Sequence, residues 1–276
     1  MPKPSSSKEI AAGGEPPFAW DDPLGLDGEL SEEERRVRDT ARRYAEDKLA
    51  PRILAAYREE HFDRAILTEM GAIGAMDVDA IPASLIDRAR HIHSGCFYLQ
   101  ETSRDRLPGF FASVRARGIT TSFDTNWDPT GNWDGGVAEM LRACDVFFPN
   151  AAEARRISRL DDVEAAARSL ARLGATGRAD GGPTIAVKLG AAGALACRAE
   201  GPLIRVPAMP VEPVDTTGAG DSFNAGFLRA WLDGADLREC LRWGAVSGAI
   251  STRRLGGIDG QPTRAEAVAA LEGYPQ

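Results

Sequence analysis

Residues 214–227 read VDTTGAGDSFNAGF, and the rest of the chain is organised around this run. It opens with β-compatible residues, passes through a turn of small residues, and continues with apolar residues at helical spacing. A strand that leads through a glycine-rich turn into a helix makes an anion site, because the first N–H groups of the helix are free and the helix dipole adds positive potential. The sequence therefore predicts free backbone N–H groups at Gly218, Ala219 and Gly220.

Asp221 follows directly, on the first turn of the predicted helix. A carboxylate next to a bound phosphate is repelled by it, so its presence indicates a chemical role. The role that fits is that of a general base, which takes the proton from a hydroxyl that attacks phosphorus. For an isolated Gly-Ala-Gly-Asp, a plain glycine turn in which the aspartate only favours the helix start is an equal alternative. The full run is far more specific.

Three other glycine motifs are excluded by single positions of this run. A dinucleotide-binding fingerprint needs a third glycine where the chain has Phe223. A Walker P-loop needs a Gly-Lys pair, which occurs nowhere in the sequence. A nucleophile elbow needs a final glycine where the chain has Asn224. The run therefore indicates a phosphate site of another kind.

The run closely resembles the second signature of the ribokinase/PfkB carbohydrate kinases. The resemblance implies that Asp221 is the catalytic base and that residues 218–220 form an anion hole for the transferred phosphoryl group. It also implies ATP and Mg²⁺ as cofactors. A site for a monovalent cation such as K⁺ would begin at Asp215 and Thr217.

From about residue 71 the sequence alternates between strand and helix patterns. The predicted strands are 90–95, 119–124, 145–148, 184–188, 193–198 and 203–206, and the helices between and after them are 105–117, 134–143, 151–158, 161–173, 236–252 and 263–272. Such alternation predicts an α/β fold, with a mainly parallel sheet covered by helices.

Further segments match the same kinase family in the family's order. They read RHIH at 90–93, SFDTNWDP at 122–129, FPNAAEA at 148–154 and VKLGAAG at 187–193. The resemblance covers about residues 71–272. The amino-terminal portion of the family, which carries the first strands of its sheet, the lid over the sugar and most sugar-binding residues, has no counterpart in the sequence, so the kinase domain at 71–276 is predicted to be truncated.

Asn150 and Glu153 form an N-x-x-E pattern at the end of a predicted strand. As a functional pair, Glu153 would organise Mg²⁺ through water and Asn150 would contact phosphate. As a structural pair, Asn150 caps the next helix and Glu153 completes the capping box. The two interpretations are compatible.

Two further sets of residues are candidates with a plain alternative. Lys188 is expected near the nucleotide phosphates, and Gly190 and Gly193 either let the backbone approach the nucleotide or make a tight turn. Asp124 and Asn126 end another strand and either line the substrate side or serve the turn.

The segment before residue 71 reads differently. Residues 1–17 are rich in Pro, Ser and Gly and are predicted to be disordered. Residues 18–70 read as helices, including a capping box at Ser31 and Glu34. The runs FAWDDPLGL at 18–26, LSEEER at 30–35 and KLAPR at 48–52 resemble the start of an acyl-CoA dehydrogenase of the glutaryl-CoA dehydrogenase type. That family's flavin-binding domain and catalytic glutamate have no counterpart, so a helical fragment without flavin chemistry is predicted, joined as a chimera near residues 70–74.

The composition limits the possible partners. The chain has 276 residues, a net charge of −8 and a sequence pI of about 5.1, which argues against nucleic acid or an anionic membrane surface as the main partner. Its four cysteines form no C-x-x-C pair, which is typical of free thiols in a reducing cytoplasm. No apolar run approaches the roughly 18 residues of a membrane span.

Together these observations predict phosphoryl transfer from ATP to a hydroxyl of a sugar or nucleoside. The alternatives are a chimeric chain that only binds nucleotide and, as a minor one, a flavin-dependent dehydrogenase. If the first strands of the sheet are missing, a sheet edge and core surface are exposed, which predicts low stability or self-association.

Overall fold

The computed structural model describes residues 31, 32, 35, 36, 39, 43 and 71–274. The chain divides into two units, Met1–Glu69 and Met70–Gln276. In the first unit, the described residues from 32 to 43 are helical as predicted, and Arg36 pairs with Glu32 at 3.0 Å. The predicted disordered lead-in, the Ser31–Glu34 capping box and the remaining helices of segment 18–70 lie outside the described residues.

The second unit is built on a six-stranded sheet whose strands follow chain order. The strands are β1 His91–Ser94, β2 Thr120–Phe123, β3 Val146–Phe147, β4 Thr184–Lys188, β5 Ala194–Cys197 and β6 Ile204–Val206. β1 to β4 are parallel, whereas β4, β5 and β6 pair antiparallel. The predicted mainly parallel sheet is confirmed, with an antiparallel hairpin at one end. Within the described residues β1 forms the other end.

The helices of the second unit are α1 Gly71–Ala75, α2 Ala83–Ile86, α3 Leu107–Arg115, α4 Val137–Ala143, α5 Ala151–Ser158, α6 Val163–Ala175, α7 Ala219–Leu232, α8 Leu237–Ser251 and α9 Arg264–Glu272. No helix of the described residues is both long enough and apolar enough to cross a membrane.

Both faces of the sheet are buried, as parallel sheets require. Successive strand residues point to opposite faces, so Phe147 joins the core beneath α3, α4 and α6, whereas Phe148 joins the core beneath α7 and α8. Phe223 and Phe227 of α7 lie one turn apart and pack into the second core. This packing fixes α7 across the sheet, with its first turn at the edge where the parallel strands end.

Several helices begin at a side-chain cap. Asn150, Asp162, Asp236 and Thr263 each accept a hydrogen bond from the backbone N–H three residues later, at 2.8–3.3 Å. The first turn of α7 has no such cap, and neither do those of α3 and α4. The amino end of α7 therefore presents backbone N–H groups at the carboxyl edge of the sheet, where α/β proteins bind ligands.

Candidate active site

The turn that leads into α7 depends on Gly218. This residue adopts a left-handed conformation with φ of 72°, and a Cβ atom there would lie 3.0 Å from the Gly257 carbonyl oxygen. The predicted strand before the turn is absent: residues 207–217 form no strand. Prolines at 207, 210 and 213 supply no N–H for a ladder. Instead, the N–H groups of Val214 and Asp215 donate to the Thr252 carbonyl oxygen at 2.7 and 3.1 Å.

The turn has fewer unpaired N–H groups at residues 218–220 than the sequence predicts. The Ala219 N–H donates to the Thr216 carbonyl oxygen at 3.2 Å, because the backbone tightens into the helix there. The prediction of a free N–H group is therefore wrong for Ala219. Among the described residues, the N–H groups of Gly218 and Gly220 donate to no other group. These two amides are the unpaired N–H groups among residues 218–220, and anion binding by them stays a prediction.

A cavity of about 530 Å³ opens beside this turn. Its wall contains five of the predicted site residues, namely Lys188, Gly190, Gly193, Ala219 and Gly220. The volume lies in the range of small-molecule sites. The structure thus brings together the loop after β4 and the first turn of α7, which are far apart in the sequence.

Two other walls of this cavity were not predicted from the sequence. One is the segment from Ala208 to Val211, and the other is a face of α8 formed by Ala245, Gly248, Ala249 and Thr252. These four small residues stand at i, i+3, i+4 and i+7, so they share one helical face. A small-residue stripe on an otherwise amphipathic helix was the signal available for this wall.

Gly193 is required by the backbone geometry of the loop after β4. Its φ is 90°, and a Cβ atom would overlap the Val206 carbonyl oxygen and lie 2.5 Å from the Pro207 carbonyl carbon. Gly190 has φ of 58° with open space around the Cβ position. The tight-turn interpretation therefore holds for Gly193, which also lets β6 approach the cavity wall.

Asp221 lies on the other side of the same turn. Its side chain is exposed and lines a second cavity of about 280 Å³, together with Ser222, Arg229 and Arg264. Gly220 lines the large cavity and the next residue, Asp221, lines the small one. The role of Asp221 as a base stays a prediction.

Asp124, Lys188 and Asn224 form a polar cluster, and Lys188 is the member that lines the large cavity. Lys188 Nζ lies 2.5 Å from Asp124 Oδ2, and Asn224 Nδ2 donates to the same oxygen at 3.0 Å. Burial raises the pKa of a carboxyl group, but the Lys188 ammonium and the Asn224 amide outweigh burial and lower the pKa of Asp124. The carboxylate predicted to line the substrate side is thus paired inside the protein.

The second residue predicted to line the substrate side, Asn126, belongs to the turn that follows β2. Asn126 is exposed with φ of 57°, and its N–H donates to Asp124 Oδ1 at 2.9 Å. Its side-chain oxygen accepts the Trp127 N–H at 2.6 Å. This is the turn chemistry that the sequence offered as the alternative. A role of Asn126 toward substrate stays a prediction.

Asn150 and Glu153 form the capping box of α5. Asn150 Oδ1 accepts the Glu153 N–H at 2.9 Å, and Glu153 Oε2 accepts the Asn150 N–H at 2.9 Å. Burial raises the pKa of Glu153, and the Asn150 N–H opposes that shift. The structural interpretation of this pair is confirmed, whereas its contact with Mg²⁺ or phosphate stays a prediction.

Asp215 is fixed by two backbone N–H groups. Thr217 N donates to Oδ1 at 2.9 Å and Gly256 N donates to Oδ2 at 2.8 Å, and these bonds lower the pKa of Asp215. Among the described residues no group of three His, Cys, Asp or Glu side chains is placed to hold a metal ion. A monovalent cation at Asp215 and Thr217 stays a prediction.

Comparison with known proteins agrees with this geometry. A family model described as pfkB family carbohydrate kinase matches residues 44–264. An uncharacterised sugar kinase of Archaeoglobus fulgidus is 30% identical over 209 residues, which cover 74% of this chain and 77% of the relative. An ATP-dependent ribose-1-phosphate kinase of Halopiger xanaduensis is 32% identical, over 75% of this chain and 62% of the relative.

The fold matches that of a solved ribokinase. The Arabidopsis thaliana ribokinase complexed with ribose and ATP superposes with a TM-score of 0.58 at 23% identity, over 71% of this chain and 60% of that chain. The match shows a ribokinase-like fold.

The family match also bears on the predicted domain boundary. It begins at residue 44, within the segment that resembles acyl-CoA dehydrogenases. That second resemblance, the truncation and the chimeric junction near residues 70–74 stay predictions. The match covers the whole of the sheet, the large cavity and all residues of the small cavity except Ala267. The chain therefore belongs to the pfkB family of carbohydrate kinases.

Proposed function

We propose that the chain transfers a phosphoryl group from ATP to a hydroxyl of a sugar or nucleoside. The observation that carries the proposal is that neighbouring residues of one turn line two cavities, Gly220 the large one and the exposed Asp221 the small one. The phosphoryl donor occupies the large cavity, and the acceptor hydroxyl approaches Asp221. The related kinases of Archaeoglobus and Halopiger support this class of reaction.

Apolar groups hold one end of the donor and polar groups hold the other. The small residues of α8 and the segment from Ala208 to Val211 give the large cavity the apolar walls that suit a nucleobase. At its other end, the free N–H groups of Gly218 and Gly220 and the ammonium of Lys188 face the phosphates. Positive charge and N–H groups placed there stabilise the charge that moves onto the leaving phosphate oxygen.

Two cations complete the proposed donor site. Glu153 would hold Mg²⁺ through water, and the ion would supply positive charge that neutralises the phosphates. Asp215 and Thr217 would hold a monovalent cation such as K⁺. Both assignments rest on the carboxylates present and on the family to which the chain belongs.

Asp221 acts as the general base. Its side chain is exposed on the first turn of α7, so a hydroxyl in front of it donates its proton to the carboxylate while the oxygen attacks phosphorus. We assign Asn126, which follows β2 at the carboxyl edge of the sheet, to the acceptor side. The free cysteines suit a reducing cytoplasm, to which we assign the protein.

A second candidate function is nucleotide binding without transfer. It is favoured by one observation. Asp124 forms an ion pair with Lys188 and accepts a hydrogen bond from Asn224, so its carboxylate is not free to contact an acceptor. In this case the large cavity binds ATP, and no acceptor is phosphorylated.

One experiment separates the two candidates. The protein is mixed with ATP and Mg²⁺ and a panel of sugars, sugar phosphates and nucleosides, beside Asp221→Asn, and ATP binding is followed by calorimetry. Transfer by the wild type and none by Asp221→Asn supports the kinase. Binding of ATP with no transfer to any acceptor supports the second candidate, and absence of both contradicts the donor site itself.

A further inference from the structure

The cluster of Asp124, Lys188 and Asn224 joins three elements that are remote in the sequence. Asp124 follows β2, Lys188 ends β4, and Asn224 lies on α7. The exposed fractions of the Lys188 and Asp124 side chains are 15% and 13%, and Asn224 is 3% exposed. Lys188 Nζ also lies 3.4 Å from Asn224 Oδ1. Lys188 Nζ, Asp124 Oδ2 and both polar side-chain atoms of Asn224 thus have partners within the cluster, and Asp124 Oδ1 accepts the Asn126 N–H.

The cluster lies directly under the first turn of α7. A Cβ atom added to Gly220 would lie 3.5 Å from Lys188 Nζ, so the ammonium is in van der Waals range of that turn. Asn224 is four residues after Gly220, and helical side chains lean toward the amino end, which brings its amide to the same place. Lys188 also lines the large cavity.

We propose that Asp124 and Asn224 are positioning residues that hold the Lys188 ammonium under Gly220, so that this charge faces the phosphates of a bound nucleotide. The inference rests on the proposed donor site and assigns Asp124 a role other than contact with the substrate. Asp124 supplies a fixed counter-charge, and Asn224 connects that pair to the turn that carries Asp221. Lysine is flexible and loses its position easily without such partners.

The proposal has a signature that loss of folding does not produce. Asp124→Asn keeps the shape of the side chain but removes a negative charge near the phosphates. Binding of ATP should then be equal to that of the wild type or up to about tenfold tighter, because repulsion is removed. The rate of transfer should fall by about tenfold or more, because the ammonium is no longer held in place. A merely structural residue would weaken binding and rate together.

A matched control exists at the opposite edge of the sheet. Asp145 precedes β3, and its side chain is 16% exposed and paired with Arg115 at 2.7 Å. Asp145→Asn removes a carboxylate of similar burial from an ion pair that touches neither cavity. It should lower the melting temperature while leaving ATP affinity and the transfer rate unchanged.

The deciding test uses the whole chain and calorimetric titration with ATP–Mg²⁺ and with adenosine, which lacks phosphates. Lys188→Met should weaken ATP binding by about tenfold and leave adenosine binding within about twofold. Asn224→Ala should weaken ATP binding about threefold in the wild type and by less than about twofold in Lys188→Met, since it acts through that lysine. Asp124→Asn is compared with Asp145→Asn in the same titrations and in the transfer assay.

These experiments distinguish failure of the proposal about the cluster from failure of the proposed reaction. If no acceptor is phosphorylated, the kinase proposal fails, but the ATP and adenosine titrations still decide the role of the cluster. Equal ATP binding by Lys188→Met and the wild type would overturn the inference. So would additive effects of Asn224→Ala and Lys188→Met, or weaker ATP binding by Asp124→Asn with an unchanged transfer rate.

Discussion

The two edges of the parallel part of the sheet each carry a partly buried ion pair, yet the pairs have different surroundings. At the amino edge, Arg115 contacts Asp145 and Asp180 at 2.7 Å, Arg178 contacts Asp180 at 2.6 Å, and the Thr121 N–H donates to Asp145 at 2.8 Å. Every charge of this network has an opposite charge from the protein. No cavity described above is lined by these residues.

The carboxyl edge differs because polar groups remain available there. Lys188 is paired with Asp124, but it also lines a cavity, beside the free N–H groups of Gly218 and Gly220. A buried ion pair is therefore no indication of function in itself. The comparison shows that unpaired N–H groups and open space next to the pair are what distinguish a ligand site from a structural bridge.

The largest expected effect separates catalysis from binding at the carboxyl edge. Asp221→Asn should lower the rate of phosphoryl transfer by about 10³-fold, because the acceptor hydroxyl loses its base. ATP affinity and the melting temperature should stay close to those of the wild type, since the side chain is exposed and the amides are untouched. Steady-state kinetics with calorimetric titration measures both quantities. An equal loss of ATP affinity would contradict the assignment of Asp221 as a base.

The next effect tests the geometry of the cavity wall. Gly193→Ala should destabilise the protein by about 3 kcal/mol, because its Cβ atom would overlap the Val206 carbonyl oxygen. Gly190→Ala is the matched control in the same loop, where only the left-handed backbone costs about 1 kcal/mol. Chemical unfolding of both variants gives the comparison. Similar free energies of unfolding would show that the loop relaxes around the new methyl group.

Much of this fold follows from local sequence signals. The strands and helices of the second unit lie within a few residues of their predicted bounds, because buried apolar runs and caps such as Asp162 are local features. The turn of Gly218 and the exposure of Asp221 at its end are local in the same sense. The strand expected before the turn does not form. Prolines occur among residues 207–217, and a proline has no N–H group to donate to a neighbouring strand.

The relations across the sheet could not be predicted in this way. The contact between Asp124 and Lys188 spans 64 positions, and it joins residues at the ends of β2 and β4, which are not neighbours in the sheet because β3 lies between them. The bond from the Ala219 N–H to Thr216 depends on how tightly the turn closes. Both contacts affect the charge distribution of the candidate site, and neither corresponds to a recognisable sequence pattern.

A third variant tests the amino edge. Asp145→Asn should reduce the free energy of unfolding by about 2 kcal/mol, because Arg115 loses a partner in a mostly buried position. ATP affinity should be unchanged, since the network lies at the far end of the strands. Thermal unfolding and calorimetry on one preparation measure both. A change in ATP affinity comparable to that of Lys188→Met would remove the distinction between the two edges.

The smallest effect concerns the pH dependence of the carboxyl edge. The pKa of Asp124 is lower in the folded protein than in the unfolded chain, since Lys188 and Asn224 outweigh its burial. Its contribution to stability is therefore present above the unfolded pKa of about 3.9 and is lost as the pH falls through the lower folded value. Asp124→Asn removes this contribution. Between pH 5 and 3, the free energy of unfolding should fall by about 1 kcal/mol more in the wild type than in the variant.

Urea unfolding at three pH values in that window measures the difference. Lys188→Met is the matched control, because it removes the cation that lowers the pKa of Asp124 and leaves the carboxyl group buried. The pKa of Asp124 should then rise, and the extra acid sensitivity of the wild type should disappear or change sign. If the free energy of unfolding changes with pH in the same way in the wild type and both variants, solvent screens the pair of Asp124 and Lys188. That pair would then behave like an exposed ion pair.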